Sequence, residues 1–340
     1  IFFMRTNSRK VMIKYFCALM ILTILFLYLI CYRFSVQRTY SQKVIVLLSG
    51  SEEDMSWNKA NIDGIKLYNA KNNQRIEYVE NIAEKDFERK ILQYADQGYG
   101  LIIGAGAQFN DVIEATAPKY KNTLFCIING SFLNQKNIVS VQIKEEEVAY
   151  IASCIAGKLT KTGVFANIAG FPNEPMKKML DIYEKNAVRV ARERGLGQAH
   201  CLRAYTNSWD NIDLGYKITE QVLEENADIV LVYANKVWQG SLKALQEEPG
   251  KASMIGIATN QCSIDENIVL ASVIFDFDKV YTCIMDEYKK GHLGKQRVYP
   301  LGMSQDLFHV QYSKKIQGQV IEEINDVQKD LKAGRINLGK

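Results

Sequence analysis

From Lys43 onward the chain alternates short apolar, β-branched runs with amphipathic stretches of helical spacing, and it keeps this beat to about residue 290. The run KVIVLL over 43–48 is nearly all apolar, which suits a strand covered on both faces. The stretch 84–97 sets Phe87, Ile91, Leu92 and Ala95 on one face and charges on the other, as a helix packed on a sheet does. The spacing predicts strands at 43–48, 75–80, 100–104, 123–128 and 138–143, with helices at 58–69, 84–97 and 110–119. A second series follows, with strands at 163–168, 201–205, 228–233, 252–257 and 268–274 and helices at 145–159, 174–194, 212–225, 237–246 and 277–290. Regular alternation of this kind makes an α/β protein with parallel sheets flanked by helices, and the two series predict two doubly wound lobes. Ligands of such sheets bind beyond the carboxyl ends of the strands, so two facing lobes enclose a cleft.

The N-terminal segment follows other rules. Residues 15–32 read YFCALMILTILFLYLICY, without a charge. As a helix they would span about 27 Å, close to the hydrocarbon thickness of a bilayer. Arg5, Arg9, Lys10 and Lys14 precede the run. Positive charge on that side keeps the N-terminus cytoplasmic and places the remainder outside. No A-x-A-type exit follows, which argues against a cleaved signal peptide. Two modes of attachment remain, an uncleaved transmembrane signal anchor and a lipid on Cys31, where the preceding Ile30 is bulky for a lipoprotein site.

Charge is divided between these parts. Residues 1–43 carry seven basic side chains and no acid, so the net +4 of the chain becomes −3 over 44–340. The globular part therefore lacks the basic excess that binds a phosphate backbone, and no nucleic-acid partner is expected. The cysteines, Cys17, Cys31, Cys126, Cys154, Cys201, Cys262 and Cys283, form no C-x-x-C pair and read mainly as small buried hydrophobes. His200, His292 and His309 are far apart in sequence, so no metal set or cofactor is expected.

Enzyme signatures are missing: there is no G-x-S-x-G, H-E-x-x-H or Walker A pattern. Gly104-Ala105-Gly106 invites a dinucleotide reading, but the third glycine would fall at Phe109, so the segment reads as a tight strand-to-helix turn beside the cleft. Asp54-Met55-Ser56-Trp57-Asn58 lies at the end of the first strand, where Asp54 and Ser56 are natural helix caps. Capping does not account for an aromatic ring there. Ser208-Trp209-Asp210 occupies the same topological position in the second half. Two tryptophans so placed would sandwich a planar ring, with Asp54 and Asn58 hydrogen-bonding to it; the alternative is that each is only a loop anchor.

In this order the motifs D-M-S-W-N (54–58), G-A-G-A-Q-F (104–109), I-K-E-E-E-V-A-Y-I-A (143–152), S-W-D (208–210), G-I-A-T-N-Q (256–261) and V-L-A-S-V (269–273) resemble the basic membrane protein family, the PnrA-like substrate-binding proteins of ABC transporters. The resemblance implies a type I periplasmic-binding-protein fold, an ABC permease partner and a purine nucleoside held between the lobes. It places Asp54, Ser56, Trp57, Asn58, Gly104, Ala107, Gln108, Trp209, Asp210, Asn235, Asn260 and Phe275 around the ligand. The chain departs from the family where carboxylates are usual, at Asn129, Ala258 and Asn260, and where a lysine is usual, at Phe275. It shares these losses with the Med-like branch, which is associated with regulation. The expected division is an anchor at 1–43, one lobe from 44–140 with 273–298, and a second from 141–272 with 299–340.

Overall fold

The computed structural model describes residues 15–16, 18–28, 41–131 and 136–338. It divides into two units, residues 1–40 and 41–340. In the first, residues 15–16 and 18–28 are helical and their large apolar side chains are exposed. The expected membrane-spanning helix over 15–32 is not seen as such: among the described residues no helix is long and apolar enough to cross a membrane. Residues 17 and 29–32, and with them Cys31, lie outside the described residues.

The second unit is built on two six-stranded sheets. The first contains β1 (Val44–Leu47), β2 (Glu77–Val79), β3 (Leu101–Gly104), β4 (Leu124–Ile128), β5 (Ile138–Ile143) and β11 (Val298–Leu301), in the order β11-β5-β4-β3-β1-β2. All its pairings are parallel. The second contains β6 (Val164–Ala169), β7 (His200–Tyr205), β8 (Ile229–Tyr233), β9 (Ser253–Ala258), β10 (Val269–Phe275) and β12 (Phe308–Tyr312), in the order β12-β10-β9-β8-β6-β7. Here only β10–β12 is antiparallel. β1, β3 and β4 are buried at every position, as all-apolar runs between two helical layers must be.

The helices are α1 (Trp57–Lys71), α2 (Phe87–Asp96), α3 (Asn110–Thr116), α4 (Glu145–Leu159), α5 (Glu174–Glu193), α6 (Ile212–Glu224), α7 (Val237–Glu247), α8 (Phe277–Lys289) and α9 (Gly318–Lys332). The helix expected over 110–119 tightens into a 3₁₀ turn at Ala117–Lys119, where Pro118 has no N–H to continue the α ladder.

The chain passes between the sheets three times. It leaves the first sheet after β5 and enters α4, which packs on α5. It returns after β10 into α8, which packs on α1. It leaves again after β11 to form β12. The sheets therefore change over near residues 144, 276 and 302–307, whereas the expected lobe limits at 140, 272 and 298 fall within β5, within β10 and on the first residue of β11. Sequence spacing predicted neither β11 nor β12. β11 is an edge strand containing Pro300, and β12 alternates buried with exposed positions, so neither shows a continuous apolar run.

Candidate functional site

The parallel strands of each sheet end on loops that gather the expected site residues. After β1 the chain makes a 3₁₀ turn at Glu52–Asp54, and Met55 takes a left-handed φ of 50°. The Asp54 carboxylate is buried and accepts from the backbone N–H groups of Ser56 (2.9 Å), Asn58 (2.8 Å) and Lys59 (3.0 Å). It also accepts from the Asn58 side chain (2.8 Å), whose oxygen takes the N–H of Gly50 at 3.2 Å. Burial raises the Asp54 carboxyl above its ordinary range, against these donors. Asp54 and Asn58 thus form a knot that satisfies the first N–H groups of α1.

Trp57 opens α1 and is partly buried. Its indole N–H donates to the Ala105 carbonyl at 2.9 Å, just past β3. Phe275 and Phe277 stand edge-on to it, with ring centroids 6.4 and 5.1 Å away. Phe275 is itself buried against Phe308. In the next loop, Gly106 has φ 143°, a conformation open to glycine, and a Cβ on Gly104 would strike Phe109. Ala107 and Gln108 are exposed, and the Gln108 amide donates to Ser49 Oγ at 2.9 Å across the mouth of β1.

On the second sheet, Trp209 is partly buried and covers Gly170, where any Cβ would collide with the indole ring. Phe171, 37% exposed, tilts against it at 5.4 Å and 56°. The Trp209 carbonyl accepts from the Lys236 N–H at 3.0 Å. Asp210 is exposed as a residue, yet desolvation and then the charge of Asp54 raise its carboxyl pKa. Asn235 is partly exposed beyond β8 and Asn260 is exposed beyond β9.

Besides the Trp57–Phe275 contact, two sets of hydrogen bonds stand between the sheets among the described residues. Residues 53–55 act as a strap: Trp238 Nε1–H donates to the Asp54 carbonyl (2.8 Å) and Gln239 to that of Glu53 (2.9 Å). The Met55 carbonyl accepts from Thr259 Oγ1 (2.5 Å) and Gln261 Nε2 (3.3 Å), while its side chain packs on the second sheet's apolar core. The other set centres on Glu145. Its Oε1 accepts from Asn129 Nδ2 and its Oε2 from the Tyr233 hydroxyl, both at 2.6 Å. Burial pushes the Glu145 carboxyl up to about 7, and the two donors oppose the shift.

Residues 41–340 match the family described as ABC transporter substrate-binding protein PnrA-like. The chain belongs to this family. Relatives within reach of sequence comparison include the transcriptional activator protein med of Bacillus subtilis, 25% identical over 76% of this chain and 79% of that one. Another is the ABC transporter nucleoside-binding protein BmpA of Lactococcus lactis, 24% identical over 75% and 76% of the two chains. Among solved structures, an ABC transporter solute-binding protein of Aeropyrum pernix superposes with a TM-score of 0.73 at 17% identity, covering 87% of this chain and 92% of that one. A transcriptional activator of the comK gene from Bacillus halodurans gives 0.71 at 18% identity, covering 86% and 98%. At these identities the superpositions speak to the fold alone, a periplasmic-binding-like α/β architecture.

Two of the positions singled out in the sequence have clear structural settings. Asn129 accepts the Ile143 N–H (2.8 Å) on its oxygen and turns its NH₂ to Glu145. Ala258 closes β9 at φ 75°, a region where an Ala side chain is strained. Sequence reasoning did not single out Glu145, Tyr233, Trp238 or Phe171. Glu145 opens a helix, where an acid is expected for its effect on the helix dipole, and only the crossing of the chain reveals that it faces both sheets.

Proposed function

We propose that this chain is an extracytoplasmic substrate-binding protein that captures a purine nucleoside between its two sheets and delivers it to an ABC permease. One observation carries the reading. Each sheet presents one tryptophan, Trp57 or Trp209, next to the carboxyl ends of its strands, and each ring is held in place by tertiary contacts rather than left as a free loop side chain. Stacking on an aromatic side chain stabilises a base by about 1–3 kcal/mol. The family description supports substrate binding for an ABC transporter, and the name of the nucleoside-binding relative supports the ligand class. The site then works by holding and releasing its ligand, with no chemistry on it. The apolar N-terminal segment serves as attachment to the membrane.

Titrating the intact 340-residue chain with purine nucleosides and following tryptophan fluorescence tests this. Saturable binding is expected, weakened about 5- to 100-fold by Trp57→Ala or Trp209→Ala. Absence of a response to every nucleoside and nucleobase at millimolar concentration sinks it.

A second reading, a membrane-attached sensor with weak nucleoside affinity, is favoured by Asn129 and Ala258 at positions where carboxylates are usual and by similarity to the med activator. Deleting the gene separates the two. Loss of nucleoside uptake supports transport, and a regulatory phenotype with normal uptake supports sensing.

A further inference from the structure

We propose that the Glu145 carboxylate reads the edge of the bound ring, accepting a hydrogen bond from a ligand N–H and so selecting heterocycles that carry one. The inference rests on the reading of the inter-sheet space as the site of a planar ligand, and it names the feature of that ligand the protein selects.

Placement comes first. Glu145 stands where the chain crosses from β5 into the second sheet's helices. On one side it meets Asn129, just past β4, the strand beside β3, whose following residue Ala105 holds the Trp57 indole. On the other it meets Tyr233, the last residue of β8, whose carbonyl accepts from the N–H of Gly170 beneath Trp209. The carboxylate therefore lies between the supports of the two indoles.

Its bonding leaves it able to accept more. The Asn129 amide cannot turn over, because its oxygen is needed by the Ile143 N–H. Its NH₂ is thus committed to Glu145 Oε1, and the Tyr233 hydroxyl to Oε2. Each carboxylate oxygen has one protein donor and can accept a second. Other carboxylates nearby are less suited. Asp54 is enclosed by its own four donors, and Glu147 is buried and accepts the Met303 N–H at 2.6 Å. Glu145 keeps some exposure as a residue, with its carboxyl group enclosed beside the two donors.

The charged and titratable groups facing Glu145 are the Tyr233 hydroxyl from β8 and Glu146 on its own helix, with the neutral Asn129 amide after β4. Burial, and to a lesser degree Glu146, holds the Glu145 carboxyl near 7, so its acceptor capacity changes within the accessible pH range.

The test compares adenosine with purine riboside, the same nucleoside without the exocyclic amine, by calorimetry on the intact chain at pH values of about 8 and about 6. At the higher pH the parent is expected to bind adenosine about 10-fold or more tightly than purine riboside, the size of one charge-assisted hydrogen bond. The preference shrinks at the lower pH. Glu145→Gln lowers the preference to the parent's low-pH level and removes its pH dependence, and Tyr233→Phe, by deleting a donor that favours the ionised form, moves the midpoint of the pH profile upward. Adenosine and purine riboside bound alike by the parent, or a Glu145→Gln profile matching the parent's, overturns the inference and leaves nucleoside capture standing. Failure of the parent to bind either compound removes both. If Glu145→Gln does not fold, an unmoved midpoint in Tyr233→Phe overturns the inference by itself.

Discussion

Asp54 shows how one side chain can satisfy a sequence motif and still act mainly within its own loop. Its carboxylate holds three backbone N–H groups and the Asn58 amide, three of these bonds buried and the one from Lys59 partly so. Asp54→Ala would leave these donors without a partner at the start of α1. With each buried orphan costing about 1–3 kcal/mol, a loss of at least about 3 kcal/mol is expected, read from the urea midpoint. Glu145 carries the opposite expectation. Its folded pKa, near 7, lies above its ordinary 4.5, so the folded state holds a proton that the unfolded state releases between those values. Stability from this group is full below about 4.5 and falls as pH rises toward 7. Glu145→Gln, which keeps the shape without the charge, should therefore gain on the parent by on the order of 1–3 kcal/mol between pH values of about 5 and about 8, measured by denaturation at both. Ala258, strained at φ 75°, predicts a third outcome: Ala258→Gly relieves the left-handed backbone and stabilises the fold by about 1 kcal/mol, read as a higher Tm. At this scale the sequence placed the motif residues on the strand-end loops but did not show what each polar group bonds to there. Asp54 and Asn58 stand out as motif residues because the spacing that suits a ligand also suits a capping knot, whereas Glu145 looks like an ordinary helix-start acid.

Elements were the most legible level. The expected strands in both halves all form; most are apolar runs covered by helices, while β2 and β7, at the sheet edges, are more polar and more exposed. What escaped was what packing decides: the edge strands β11 and β12, and the strap from 53 to 55. Helix contacts add a case of their own. α6 and α7 approach so closely that a Cβ on Gly240 would collide with the Ile212 carbonyl oxygen, and one on Gly215 with that of Val237. Gly240→Ala is expected to force the helices apart and to cost about 1–3 kcal/mol, with a lower Tm as the readout. The strap predicts that Trp238→Phe, which keeps an aromatic ring but drops the donor to the Asp54 carbonyl and leaves a small void, costs about 1–3 kcal/mol and speeds amide exchange through residues 52–59.

At the level of the whole molecule, the strap and the Glu145 bridge join the two sheets through direct hydrogen bonds. The periodic alternation of the sequence announced two sheets, and the family motifs announced their kinship. The grip between the sheets was not legible, because it depends on backbone carbonyls at 53–55 that any residues would supply.

The threefold passage of the chain also governs how the protein is made. Both sheets wait for a final strand, β11 or β12, from the last part of the polypeptide, so neither is complete while that part is still inside the ribosome. Each nascent sheet stands meanwhile with an open edge, a ready template for unwanted pairing. A truncation just before residue 298 therefore deprives both halves of a strand at once.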